Sequence, residues 1–125
     1  MIPRTLHHVS FSITDLGRAL RFYEGVLGLE QIERPNFPFA GAWLRVGDAE
    51  LHLIVPPAGM DVGGQPPALN PLARHAAFAI DDYGRVLATL KAAGLDVLET
   101  SPELGQMWVR DPDGNIIELI ARAAS

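Results

Sequence analysis

The sequence predicts an α+β chain built from two βαβββ modules, and three observations lead there. Strand-like alternation of apolar and polar residues gives way to helical spacing twice along the chain. The second half repeats the first over several stretches. The last predicted strand of each half also carries a metal-capable side chain in an apolar run, His52 in the first and Glu118 in the second. An ionised, buried carboxylate such as Glu118 costs several kcal/mol unless it meets a cation, a metal or hydrogen-bond donors.

In the first module, Leu6 to Thr14 reads as a strand. Val9, Phe11 and Ile13 alternate with His8, Ser10 and Ser12 at the period of two expected for a half-buried sheet. Asp15 suits a helix N-cap. From Leu16 to Leu27 the apolar residues Leu16, Ala19, Leu20, Tyr23 and Leu27 recur at helical spacing, and Gly28 is the expected stop. Leu29 to Glu33 forms a short strand, and Arg34 to Gly41 a loop with two aromatics. Ala42–Val46 and Glu50–Val55 then pair as a hairpin.

Pro56 to Pro71 holds half of the ten prolines and reads as a connector. Beyond it, Arg74 to Asp81 is a strand. Asp82 to Ala93 is a helix with Val86, Leu87 and Leu90 inward and Gly94 at its end. Leu95–Glu99, Gln106–Arg110 and Asn115–Ala121 complete the second module, the last two joined by the Asp113-Gly114 turn. The expected organisation is one domain over residues 1–125, with modules at about 1–55 and 74–125 and a connector over 56–73.

The internal repeat is specific. His8-x-x-Phe11-x-Ile13-x-Asp15-x-Gly17-Arg18 matches His75-x-x-Phe78-x-Ile80-x-Asp82-x-Gly84-Arg85. Leu27-Gly28-Leu29 matches Ala93-Gly94-Leu95, Trp43-x-Arg45 matches Trp108-x-Arg110, and His52-Leu53-Ile54 matches Glu118-Leu119-Ile120. The register holds within elements and drifts only across loops, as a duplicated unit should.

Composition narrows the chemistry. A net charge of −5 at pH 7 argues against nucleic acid or an anionic membrane as partner. With no cysteine, thiolate metal sites, disulfides and cysteine nucleophiles are excluded, so a metal must be held by His, Asp or Glu. The N-terminal stretch lacks the shape of a signal peptide, and a cytoplasmic location is expected.

The repeat brings His8 and His75 to equivalent first-strand positions and His52 and Glu118 to equivalent last-strand positions. Small residues share the face of each first-strand His, Ser10 and Ser12 in one module and Ala77 and Ala79 in the other. Ligating groups among small residues leave room for something that is not protein. If the modules pair about a pseudo-twofold axis, His8, His52, His75 and Glu118 can converge on one divalent ion, Zn, Ni, Co, Mn or Fe(II). His7 falls on the opposite face from His8, Phe22, Tyr23 and Trp43 read as core, and Asp111 and Asp113 belong to the turn.

Leu6-His-His-Val with Asp15-Leu, Arg21-Phe-Tyr-Glu-Gly-Val-Leu-Gly-Leu29, Arg74-His-Ala-Ala-Phe-Ala-Ile-Asp81 and Asp111-Pro-Asp-Gly-Asn-x-x-Glu-Leu119 together resemble the vicinal oxygen chelate superfamily. That is the glyoxalase I, bleomycin-resistance and extradiol dioxygenase group. The resemblance implies paired modules forming a curved, mostly antiparallel sheet around a metal cavity. It also implies a homodimer in which modules pair across chains. The implied activity is a metal-dependent lyase or isomerase of glyoxalase-I-like type, acting on a small oxygenated substrate through Lewis-acid stabilisation of an enolate-like intermediate. Glu118 and His52 are then the expected catalytic groups, and Ser10, Ser12, Phe37, Phe39 and Trp108 the expected pocket. His52 departs from the Glu or Gln usual at its position in glyoxalase I. The family's glutathione-contacting Arg and Asn fall near Ser12 and Pro56, which cannot make those contacts. Two alternatives remain from the same resemblance. One is an Fe(II) extradiol-type dioxygenase, with His8, His75 and Glu118 as a facial triad and His52 as acid/base. The other is a non-catalytic drug-binding resistance protein.

Overall fold

A computed structural model describes residues 1–121 and divides the chain into two compact units, Met1–Gly63 and a second beginning at Gly64. The expected connector is therefore shared between them. The last four residues of the expected second module, 122–125, lie outside the described residues.

In the first unit the order is β1 (His8–Ser12), α1 (Leu16–Leu20), a π-helical segment (Arg21–Val26), β2 (Glu30–Ile32), β3 (Gly41–Val46) and β4 (Ala49–Ile54). The strands form one sheet in the order β1-β4-β3-β2, with β1 parallel to β4 and the other pairs antiparallel. The second unit repeats the plan with β5 (Ala76–Ile80), α2 (Tyr83–Ala92), β6 (Leu98–Glu99), β7 (Gln106–Arg110) and β8 (Ile116–Ala121). Its order is β5-β8-β7-β6, again with only the first pair parallel. Each unit is thus a mixed α+β module whose first and last strands lie side by side.

The duplicated sequence yields duplicated local devices. Asp15 and Asp82 cap their helices by accepting from the backbone N–H three residues on, Arg18 at 2.8 Å and Arg85 at 3.1 Å. Gly28 and Gly94 follow the helix ends at φ of 75° and 80°, a conformation that a Cβ would strain.

Two elements differ from the sequence expectation. The helix expected over Leu16–Leu27 widens after Leu20 into a π segment, where Leu27 N–H bonds Phe22 O at 3.0 Å. The wider turn lets the adjacent Phe22 and Tyr23 both bury, edge to face at 4.8 Å. The strand expected over Leu95–Glu99 shrinks to Leu98–Glu99. In α2, Leu90 is buried as expected, while Val86 and Leu87 are only half-buried.

Strand parity separates two faces in each sheet. Ala42, Leu44, Leu51 and Leu53 lie on one face of the first and are fully buried. Burial of each of the three leucines contributes of order 1.5–3 kcal/mol. Met107, Val109, Ile117 and Leu119 do the same in the second. The opposite faces carry the polar residues. No helix among the described residues is long and apolar enough to cross a membrane.

Candidate metal centre

Register fixes what stands beside each candidate ligand. On the polar face of the first sheet, His8 pairs with Glu50, and Ser10 and Trp43 flank His52. On the second, Ala77 and Trp108 flank Glu118. The structure therefore brings the four candidates together as two pairs, His8 with His52 and His75 with Glu118. Among the described residues no three or more His, Asp or Glu side chains gather around one point.

The second pair answers what a carboxylate does inside an apolar strand. Glu118, 6% exposed, receives Trp108 Nε1 at 3.2 Å on Oε1 and Gln106 Nε2 at 3.1 Å on Oε2, and His75 Nε2 stands 2.9 Å from Oε1. Hydrogen bonds to a charged group contribute about 1.5–3 kcal/mol each, enough together to offset burial. His75 Nδ1 stands 2.7 Å from the carbonyl of Ala73, which can only accept. Nδ1 therefore carries a proton, and in the neutral ring the Nε2 lone pair is directed at Glu118 Oε1. Two lone pairs at 2.9 Å repel unless a proton or a cation lies between them. A His held through its far nitrogen by a carbonyl, with the near nitrogen beside a carboxylate, is the donor arrangement of a metal-binding pair. The residues present fit a divalent ion.

The first pair is a stack of rings. Trp43, His52 and His8 lie nearly parallel, Trp43 to His52 at 4.1 Å and His52 to His8 at 4.0 Å. His8 Nδ1 meets His7 Nδ1 at 2.9 Å, leaving Nε2 as the nitrogen available to a ligand. Burial, followed by the neighbouring His52 and His7, lowers the pKa of His8 below the ordinary 6.5, while Glu50 opposes the shift. The ring is thus held largely neutral at pH 7, the form that ligates metal. Glu50 Oε1 lies 2.9 Å from His52 Nε2, and that hydrogen bond is the main reason the Glu50 carboxyl sits below the usual carboxylate range.

The expected pocket residues divide between the units. Ser10 is exposed and Ser12 half-buried on the His8 face. Phe37 stacks on Phe39 at 5.3 Å and approaches Trp43 at 6.2 Å, with the Arg34 guanidinium over both phenyl rings. Trp108 belongs to the other unit, as a donor to Glu118 rather than an open wall. Three members of the two sites escaped the sequence reading. Trp43, expected as core, is half-buried against His52, and Glu50 and Gln106 were passed over. The signal for each was strand parity: Glu50 is two residues before His52, and Gln106 two before Trp108. His7, expected on the opposite face, lies just before β1 and touches the His8 ring edge-on. Asp111 serves the turn as expected, with Oδ1 accepting from the N–H groups of Asp113 and Asn115.

The family model described as Glyoxalase/Bleomycin resistance protein/Dioxygenase superfamily matches residues 5–119. Among curated proteins, "Glyoxylase I 4" of Arabidopsis thaliana is 32% identical over 121 residues, covering 92% of this chain and 69% of that protein. "Probable lactoylglutathione lyase, chloroplastic" from the same plant is 26% identical over 127 residues, covering 95% of this chain but only 36% of that longer protein. A crystal structure of a protein from Bacillus anthracis, assigned to the glyoxalase family, superposes with a TM-score of 0.82 at 22% identity over 98% of both chains.

Proposed function

Because the chain belongs to the Glyoxalase/Bleomycin resistance protein/Dioxygenase superfamily, we propose that it is a divalent-metal-dependent enzyme, a glyoxalase-I-like lyase or isomerase acting on a small oxygenated substrate. His8, His52, His75 and Glu118 would hold the ion. A homodimer in which units pair across two copies would complete two such sites. The reading also carries a cytoplasmic location and no nucleic-acid or membrane partner. When bound, the metal supplies a Lewis acid that polarises neighbouring substrate oxygens and stabilises enolate-like charge.

The observation that carries this reading is His75, whose Nδ1 proton is committed to the Ala73 carbonyl while Nε2 faces Glu118 Oε1 at 2.9 Å. Trp108 and Gln106 hold the carboxylate in place by donating to Oε1 and Oε2 respectively. The exposed alanines Ala77 and Ala79 line the same face and keep it free of bulk. Three neutral imidazoles and one carboxylate leave a divalent ion with a net positive charge, suited to an anionic or enolised oxygen. Oxygen-independent isomerisation of a hemithioacetal or a 2-oxo substrate by the metal-loaded protein tests the lyase or isomerase assignment. Oxygen consumption with catechols would replace it with the dioxygenase.

A further inference from the structure

The most informative group outside the four ligands is Glu50. It shares the β4 face with His52, stands directly across from His8 in the parallel pair, and reaches His52 Nε2 at 2.9 Å. The His52 ring is gripped from both sides. Trp43 comes from β3 and His8 from β1, the two strands flanking β4, and both stack on it at about 4 Å with interplanar angles of 2° and 15°. Stacking fixes the ring plane, and the carboxylate fixes its rotation within that plane. A carboxylate accepts only, so the ring proton of a neutral His52 sits on Nε2 and the lone pair on Nδ1. Among the described residues, Nδ1 of His52 makes no hydrogen bond.

We propose that Glu50 is a positioning residue that locks His52 in its Nε2–H form, so that His52 presents Nδ1 to a metal ion. This rests on the metal-enzyme reading above. The two units then solve one problem with opposite nitrogens: the Ala73 carbonyl holds Nδ1–H of His75, and the Glu50 carboxylate holds Nε2–H of His52. Partners of this kind orient the ring and raise its basicity. The carboxylate absent from position 52 is thereby retained two residues earlier in a supporting role.

Long-range proton–nitrogen correlation spectra of the ¹⁵N-labelled full chain, metal-free at neutral pH, read the tautomer of His52 directly. The Nε2–H form is expected in the native chain and in Glu50→Gln, whose amide oxygen still accepts, and a mixture of both forms in Glu50→Ala. Zinc affinity measured by calorimetry should fall about ten- to a hundredfold in Glu50→Ala and recover largely in Glu50→Gln. With cadmium as an NMR-active probe, the metal should couple to Nδ1 of His52. A His52 proton on Nδ1 in the native chain, or cadmium coupled to Nε2, overturns the proposal. A Glu50→Gln variant as damaged in zinc affinity as Glu50→Ala also overturns it, because Glu50 would then be a ligand itself. A native chain that binds neither zinc nor cadmium sinks the metal-enzyme reading together with the ligand half of this one. Normal uptake with an unlocked His52 tautomer sinks this inference alone.

Discussion

His75 Nε2 and Glu118 Oε1 stand 2.9 Å apart, one just before β5 and the other on the neighbouring β8, and each side chain is held by a further hydrogen-bond partner. His75 has a backbone carbonyl at Nδ1; Glu118 has an indole N–H at Oε1 and a carboxamide N–H at Oε2. The donors were therefore in place before any ion is considered, which is the preorganisation a metal site needs.

Substitution of Glu118 separates its two roles. Glu118→Gln keeps the shape and an acceptor for Trp108, so the fold should persist while metal affinity falls by about tenfold or more. Glu118→Ala leaves the buried Trp108 indole without an acceptor, at about 1–3 kcal/mol, and frees the half-buried Gln106 amide. Urea unfolding should register that loss, and zinc calorimetry on the Gln variant the first effect.

The lowered pKa of His8 has a definite sign. Its folded-state value lies below 6.5 because of burial, then His52 and His7, so the unfolded chain takes up the proton more readily than the folded one. Stability attributable to His8 should fall as pH drops from about 6.5 toward the lowered folded value. NMR titration of the metal-free chain should give a His8 midpoint below 6.5, moving upward in His52→Ala. An unshifted midpoint in both proteins would contradict the geometry of the ring stack.

The repeated caps should be energetically repeated as well. Asp15→Ala and Asp82→Ala each remove one carboxylate acceptor from a helix N-terminus. Each should cost about 1 kcal/mol in denaturant unfolding.

Gly105 takes φ of 74°, and a Cβ built there would collide with the Ala121 carbonyl. Gly105→Ala should destabilise the chain by about 2 kcal/mol or more, from overpacking against backbone and a left-handed conformation together. Thermal unfolding against the native chain measures it.

Much of the fold was legible because the duplication doubled every weak local signal. One Asp before an apolar run is a modest cap signal, but Asp15 and Asp82 at matched positions, each followed by a matched glycine stop, leave little choice of element. The π segment was not legible, since the spacing of Leu16, Ala19, Tyr23 and Leu27 is the same whether Phe22 O bonds four or five residues on. The short β6 was lost for a related reason: Leu95 to Glu99 has strand composition, but only Leu98 and Glu99 find partners on β7. At the site, the ligand candidates stood out as metal-capable side chains in or beside strands at matched positions of the repeat. Trp43 and Gln106 gave no such contrast, because an aromatic and an amide are ordinary on a half-buried face. Glu50 was hidden at the start of a strand, where a carboxylate usually meets water, and only the β1–β4 register sets it against the histidines.

Metal content tests the central claim most directly. Protein purified without added metal, analysed by elemental mass spectrometry and then titrated with zinc, nickel, cobalt, manganese and iron(II), should hold about one divalent ion per chain. Less than about a tenth of an equivalent, with no uptake of any of the five, would contradict the account.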